Sequence, residues 1–105
     1  MNAKNEFLRH IKEAKGELIC CKVIYHESFN GLTKNYYLNA GFTTEDLTTF
    51  LESLDFNYDS GYGRQYLYGL ILFTESHSRR HEYDGSEWWV NYPTLTVEQV
   101  MNFEL

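Results

Sequence analysis

Asp84-Gly85 stands between two strand-forming runs, Ser78 to Tyr83 and Trp88 to Tyr92. A type I′ turn needs positive φ at both central residues, and Asp-Gly meets that demand at low steric cost. The dipeptide therefore dictates a tight hairpin, and a hairpin dictates antiparallel pairing. Pro93 closes the second run, because it cannot donate to a further ladder bond.

The segments before the hairpin fit the same sheet. Tyr66 to Thr74 reads as a strand with Leu67, Ile71 and Phe73 on one side and Tyr66, Tyr68, Leu70 and Leu72 on the other, and Ser78 to Tyr83 can pair back on it. Gly69 sits inside this strand, where a missing side chain admits a neighbouring ring or marks a bulge. Glu17 to His26 is apolar on both faces and reads as a central strand. After the turn cluster Ser28-Phe-Asn-Gly31, Thr33 to Ala40 sets Tyr36, Leu38 and Ala40 against Asn35, Tyr37 and Asn39, the pattern of its hairpin partner.

Helical period appears three times. Phe7, Leu8, Ile11 and Ala14 form a stripe over Ala3 to Lys15, with Asn2 as cap and Gly16 as stop. Thr43 caps a second helix, with Asp46 three residues on, Phe42 and Leu47 as a hydrophobic staple, and Leu47, Phe50, Leu51 and Leu54 as its buried face. Thr96 and Gln99 make a capping box for a short helix over Val97 to Glu104. The order α-β-β-α-β-β-β-α predicts one α+β domain over residues 1–105, an antiparallel sheet of four to five strands with helices on one face.

No apolar run approaches the roughly 20 residues that span a bilayer, and the N-terminus lacks the pattern of a signal peptide. Cys20 and Cys21 are adjacent, so on a strand they point to opposite faces and read as reduced thiols. Both features place the protein in the cytoplasm, away from membranes. The net charge of −6 is uneven: residues 1–30 hold five Lys/Arg against four Asp/Glu, whereas 31–105 hold four against eleven. Phosphate binding needs basic residues, so nucleic acid is not the expected partner.

Catalytic and cofactor chemistry finds little support. His26, His77 and His81 with Cys20 or Cys21 are ligand types that zinc accepts, but residues four apart on a strand are separated by roughly 13 Å. Surface histidines on an edge strand are the plainer reading, and no metal or cofactor is expected. Cys21 could meet His26 or His81 across strands, yet strand pairing produces such neighbours without catalysis. Gly61-Tyr-Gly63 enters a strand and not a helix, unlike a phosphate loop. Arg79 and Arg80 read as cross-strand partners for Glu82 or Glu87.

Surface recognition remains. Trp, Tyr and Arg anchor interfaces, and a domain of this size cannot bury all of its rings. Trp88 and Trp89 are consecutive, so if one is core the other faces outward. The expected partner-binding set is Tyr58, Asp59, Tyr62, Glu82, Asp84, Glu87, Trp88 and Trp89, an acidic and aromatic surface suited to a basic protein. A small-molecule or enzyme pocket between the 55–64 loop and the 84–85 hairpin is the rival reading. Self-pairing of an exposed strand edge into a homodimer is the third.

The run LESLDFNYDSGYGRQYLYGLILF, followed by RRHEYDGSEWW, resembles a family of small proteins of bacteriophages, prophages and conjugative elements with the pattern LDFxYDxGYGxQxLxGxIxF and a later EYDGSEWW. The resemblance covers roughly residues 42–89. The chain departs from it at Glu75-Ser-His-Ser-Arg-Arg80, where the pattern leads one to expect a further turn and a tryptophan-bearing strand. The resemblance implies a mobile-element origin and no activity; for a small, acidic, non-enzymatic protein of that origin the acidic and aromatic surface leads us to expect a host protein as partner, with inhibition of host defence as a role.

Overall fold

The computed structural model describes residues 1–26, 32–59, 64–94 and 97–102. Its elements are α1 (Ala3–Glu13), β1 (Leu18–His26), β2 (Thr33–Leu38), α2 (Thr44–Ser53), β3 (Leu67–Phe73), β4 (Ser76–Tyr83), β5 (Ser86–Pro93) and α3 (Val97–Met101). The strands form one five-stranded antiparallel sheet in the order β2-β1-β3-β4-β5. This is the α+β architecture that the sequence predicts. The turn at residues 28–31 and the Leu95-Thr96 part of the last helix cap lie outside the described residues.

The helix starts follow from side-chain chemistry. Asn2 accepts from the Asn5 amide at 3.0 Å and caps α1. Thr43 and Asp46 exchange hydrogen bonds with each other's amides, completing a capping box for α2. Asp84 and Gly85 have φ of 51° and 84°, as a type I′ turn requires, and the Glu82 carboxylate accepts from the Gly85 amide at 2.9 Å.

Helices α1 and α2 cover one face of the sheet. Phe7 of α1 meets Phe50 of α2 edge-on at 5.5 Å and Trp89 of β5 at 6.5 Å, over Cys21, Val23, Leu67, Ile71 and Phe73. Gly69 lies directly opposite Val23, and the Trp89 ring fills the space where its side chain would be. Two placements differ from expectation. β4, with His77 and His81, is an interior strand, because the Asp84-Gly85 hairpin adds β5 outside it. β1 is an interior strand between β2 and β3, but only one of its faces is covered. Among the described residues no helix is long and apolar enough to cross a membrane.

Candidate functional site

Strand alternation sorts the expected site residues into two groups. Trp89 points into the core and is 8% exposed, whereas Trp88 points away from the helices and is 40% exposed. Glu87 shares the inward side with Trp89. Its side chain is fully buried against Arg80, whose Nη2 and Nε donate to Oε1 at 2.9 and 3.1 Å. The same carboxylate accepts from the Tyr66 and Leu67 amides at 2.6 and 2.9 Å. It thereby satisfies main-chain donors at the start of β3, below the last β3–β4 pair at Leu70 and Arg79.

The network continues into α1. Arg80 Nη1 donates to Glu6 Oε1 at 2.8 Å, the Tyr58 hydroxyl donates to the same oxygen at 2.6 Å, and Arg80 Nη2 donates to the Tyr58 hydroxyl at 2.5 Å. Burial and the bond to Glu6 push the Tyr58 hydroxyl well above its usual pKa. Desolvation works against the Arg80 charge, but Glu6, Tyr58 and Glu87 outweigh it and raise its pKa. Arg80 also lies 5.2 Å from the Trp89 ring. Arg80, Tyr58 and Glu87 are thus paired with one another inside the fold.

This corrects the acidic and aromatic surface. Tyr58, Glu87 and Trp89 are core residues, while Asp59, Glu82, Asp84 and Trp88 are exposed. Tyr62 lies outside the described residues. Tyr58 belongs to the helix-covered side and Trp88 to the other, so the two do not line one pocket. Periodicity does signal the correction: Glu87 precedes Trp89 by two residues, and Arg80 pairs with Trp89 in register.

A second polar cluster joins α1 to β4. His10 Nε2 lies 2.6 Å from Ser78 Oγ, and Asn91 donates to Ser78 and Ser76 at 2.9 and 3.0 Å. A serine beside a histidine has the form of an activated nucleophile, but Ser78 is 0% exposed and no substrate reaches it. Burial holds the His10 imidazole below its usual pKa, Arg80 adds to the effect, and Glu13 and Glu6 oppose it. The unfolded chain therefore takes up this proton more readily. Stability contributed at His10 is complete above its unfolded value of 6.5 and is lost as pH falls through the lower folded value. Urea titrations across that range should show wild type losing more stability on acidification than His10→Gln; parallel profiles would refute this origin.

Among the described residues, no three His, Cys, Asp or Glu side chains converge as a metal site. Cys21 is buried, its thiol pushed up to about 12 by desolvation and by Cys20, whereas Cys20 faces outward and is partly accessible.

The uncovered face of the sheet has a different character. Its outward positions carry Tyr37 on β2, Tyr68, Leu70 and Leu72 on β3, and Trp88 and Tyr92 on β5, all exposed. The charged and titratable groups among them are Lys22, His26, His77, Arg79 and His81. No aspartate or glutamate occupies an outward strand position described here. Most of these groups meet a ring: Lys22 with Tyr37 at 5.3 Å, His26 with Tyr68 at 4.9 Å, His77 stacked on Tyr92 at 5.4 Å, and His81 with Trp88 at 5.0 Å.

A groove of about 470 Å³ crosses this face, lined by Leu70 and Leu72 with Cys20, Lys22, His77 and Arg79, and by Leu38, Asn39 and Ala40 at its β2 end. It adjoins a depression formed by Leu72, His77, Arg79, Pro93 and Thr94. In an acidic chain, the apolar, ring-bearing surface is the one kept free of carboxylates. The chain matches no family model, no curated protein and no solved structure, so the reading of this face rests on its own chemistry.

Proposed function

We propose that the protein is a non-enzymatic protein-interaction module of phage or mobile-element origin that docks a host protein on the uncovered face of its sheet. The observation that carries this reading is the set of exposed Tyr37, Tyr68, Leu70, Leu72, Trp88 and Tyr92 on one sheet face, with Lys22 and Arg79 bordering Leu70 on either side and no carboxylate at a described outward strand position. Exposed apolar side chains gathered on one face beside polar ones mark interaction sites. Aromatic anchors over an apolar floor are the residues that carry interface energy. The border selects a partner segment that is apolar and acidic, the opposite of the basic partner suggested by net charge. Inhibition of a host defence protein is a role consistent with such an origin.

The test compares two sets of variants in capture from host lysate followed by purified binding. Leu70→Lys and Trp88→Ala alter the sheet face, whereas Glu82→Gln and Asp84→Asn alter the hairpin. Binding should weaken roughly tenfold or more with the face variants and stay near wild type with the hairpin variants. Loss confined to the hairpin variants would overturn the assignment and restore the acidic surface.

A further inference from the structure

The same chain carries a second unmet apolar surface. Helix α3 leaves Val97 81% exposed, Met101 76% and Val100 55%. A helix this short gains little from its own hydrogen bonds and is ordinarily held by packing. Residues 94–105 contain Glu98 and Glu104 with no Lys, Arg or His. The segment is thus apolar and acidic, the complement of a groove floored by Leu70 and Leu72 and bordered by Lys22, His77 and Arg79.

Position supports the match. The Thr94 amide donates to the Glu75 carbonyl at 3.1 Å, which fixes the root of the segment at the turn between β3 and β4. Thr94 also lines the depression that continues the groove. A two-fold axis beside Leu72 and Thr94 would bring the root of each segment to the open end of the other copy's groove. Such an isologous arrangement makes the contact twice and closes without leaving a free surface for further growth.

We infer that a second copy of this chain occupies the groove, with residues 97–101 of each copy seated on the sheet face of the other. This rests on the reading of the open face as a protein-docking surface. The apolar contacts supply the affinity, and the negative charge that Glu98 and Glu104 give this segment complements Lys22 and Arg79 beside the groove. Rising salt therefore weakens the dimer without abolishing it. A host protein bearing a similar acidic, apolar segment competes for the same groove, so self-association and partner binding exclude one another.

Sedimentation velocity of the full chain tests the assignment, using Leu72→Glu on the face and Val100→Lys on the segment. Both positions are exposed, so thermal unfolding of the monomer should be nearly unchanged. Wild type should dimerise, and each variant alone should weaken dimerisation roughly tenfold or more. An equimolar mixture should recover a weaker heterodimer, because it retains one intact face and one intact segment. A wild-type monomer at all concentrations would overturn the second-copy assignment, and the capture test then decides separately whether the face binds a host protein. A dimer broken by Leu72→Glu but not by Val100→Lys would remove the segment and leave the docking face standing. A monomer whose Trp88 emission responds to Val100→Lys would place the segment on its own sheet. Binding of a single-stranded oligonucleotide, lost in Arg79→Glu, would assign the face to nucleic acid; either result overturns the inference.

Discussion

Replacing Arg80 with alanine should lower the free energy of unfolding by about 3–5 kcal/mol, because it strands the two carboxylates that this guanidinium pairs. Glu6 Oε1 and Glu87 Oε1 both sit within 3.1 Å of Arg80 nitrogens, and the Glu87 side chain has no exposure to solvent. Small domains are stable by about 5–15 kcal/mol, so the variant should be partly unfolded at modest temperature. Lysine should not rescue it, since one ammonium cannot reproduce the three-nitrogen fork that reaches Glu6, Tyr58 and Glu87 together. Replacing Glu6, Arg80 and Glu87 jointly with apolar residues of similar volume should restore much of the loss, because no buried charge then remains. Denaturant unfolding measures all three. An Arg80→Ala protein as stable as wild type would show that the network contributes nothing.

Gly69→Ala should cost about 3 kcal/mol, the upper part of the range for overpacking a filled site. A Cβ there would lie 2.5 Å from the Lys22 carbonyl oxygen and 2.9 Å from Cη2 of Trp89, so both a neighbouring strand and a ring must move. Trp89→Ala should cost about 3–5 kcal/mol through the cavity left among Phe7, His10 and Arg80. The double variant separates the two contacts. Removing the ring relieves one clash, but the Lys22 carbonyl is main chain and stays, so Gly69→Ala remains destabilising in the Trp89→Ala background. A neutral Gly69→Ala in either background would contradict the close approach.

Both predictions explain why YDSGYGRQYLYG and EYDGSEWW belong together in one chain. Tyr58 and Glu87 meet through Arg80, Glu87 accepts from the Tyr66 and Leu67 amides, and Trp89 covers Gly69. Tyr58 and Leu67 of the first motif and Glu87 and Trp89 of the second belong to one buried assembly.

Much of the fold was legible because local chemistry and tertiary packing agree. Asp84-Gly85 could form only a few turn types, Thr43 and Asp46 define their own helix start, and alternation separated Leu67, Ile71 and Phe73 from Tyr68, Leu70 and Leu72. The same alternation separated Trp88 from Trp89. The buried carboxylate was misplaced because a glutamate beside a turn ordinarily faces water, and only its pairing with Arg80 overcomes the desolvation cost. The open face was missed for a related reason. Charge summed along the sequence mixes helices, loops and both sides of every strand, whereas a partner meets one side. Sorted by side, Lys22, His26, His77, Arg79 and His81 share the open face, and the nearby carboxylates of Glu82, Asp84 and Glu87 do not.

Cys20 offers the most direct test that function resides on this face. Its thiol lines the groove, whereas Cys21 is buried with its pKa pushed up to about 12, so alkylation of the folded protein reports on Cys20. The rate should fall when the chain self-associates or when a captured host protein is added, and in Leu72→Glu, whose carboxylate lies opposite Cys20 and sets its own baseline, it should no longer depend on protein concentration. Unchanged Cys20 alkylation in an associated complex would contradict the account and move the binding surface elsewhere on the molecule.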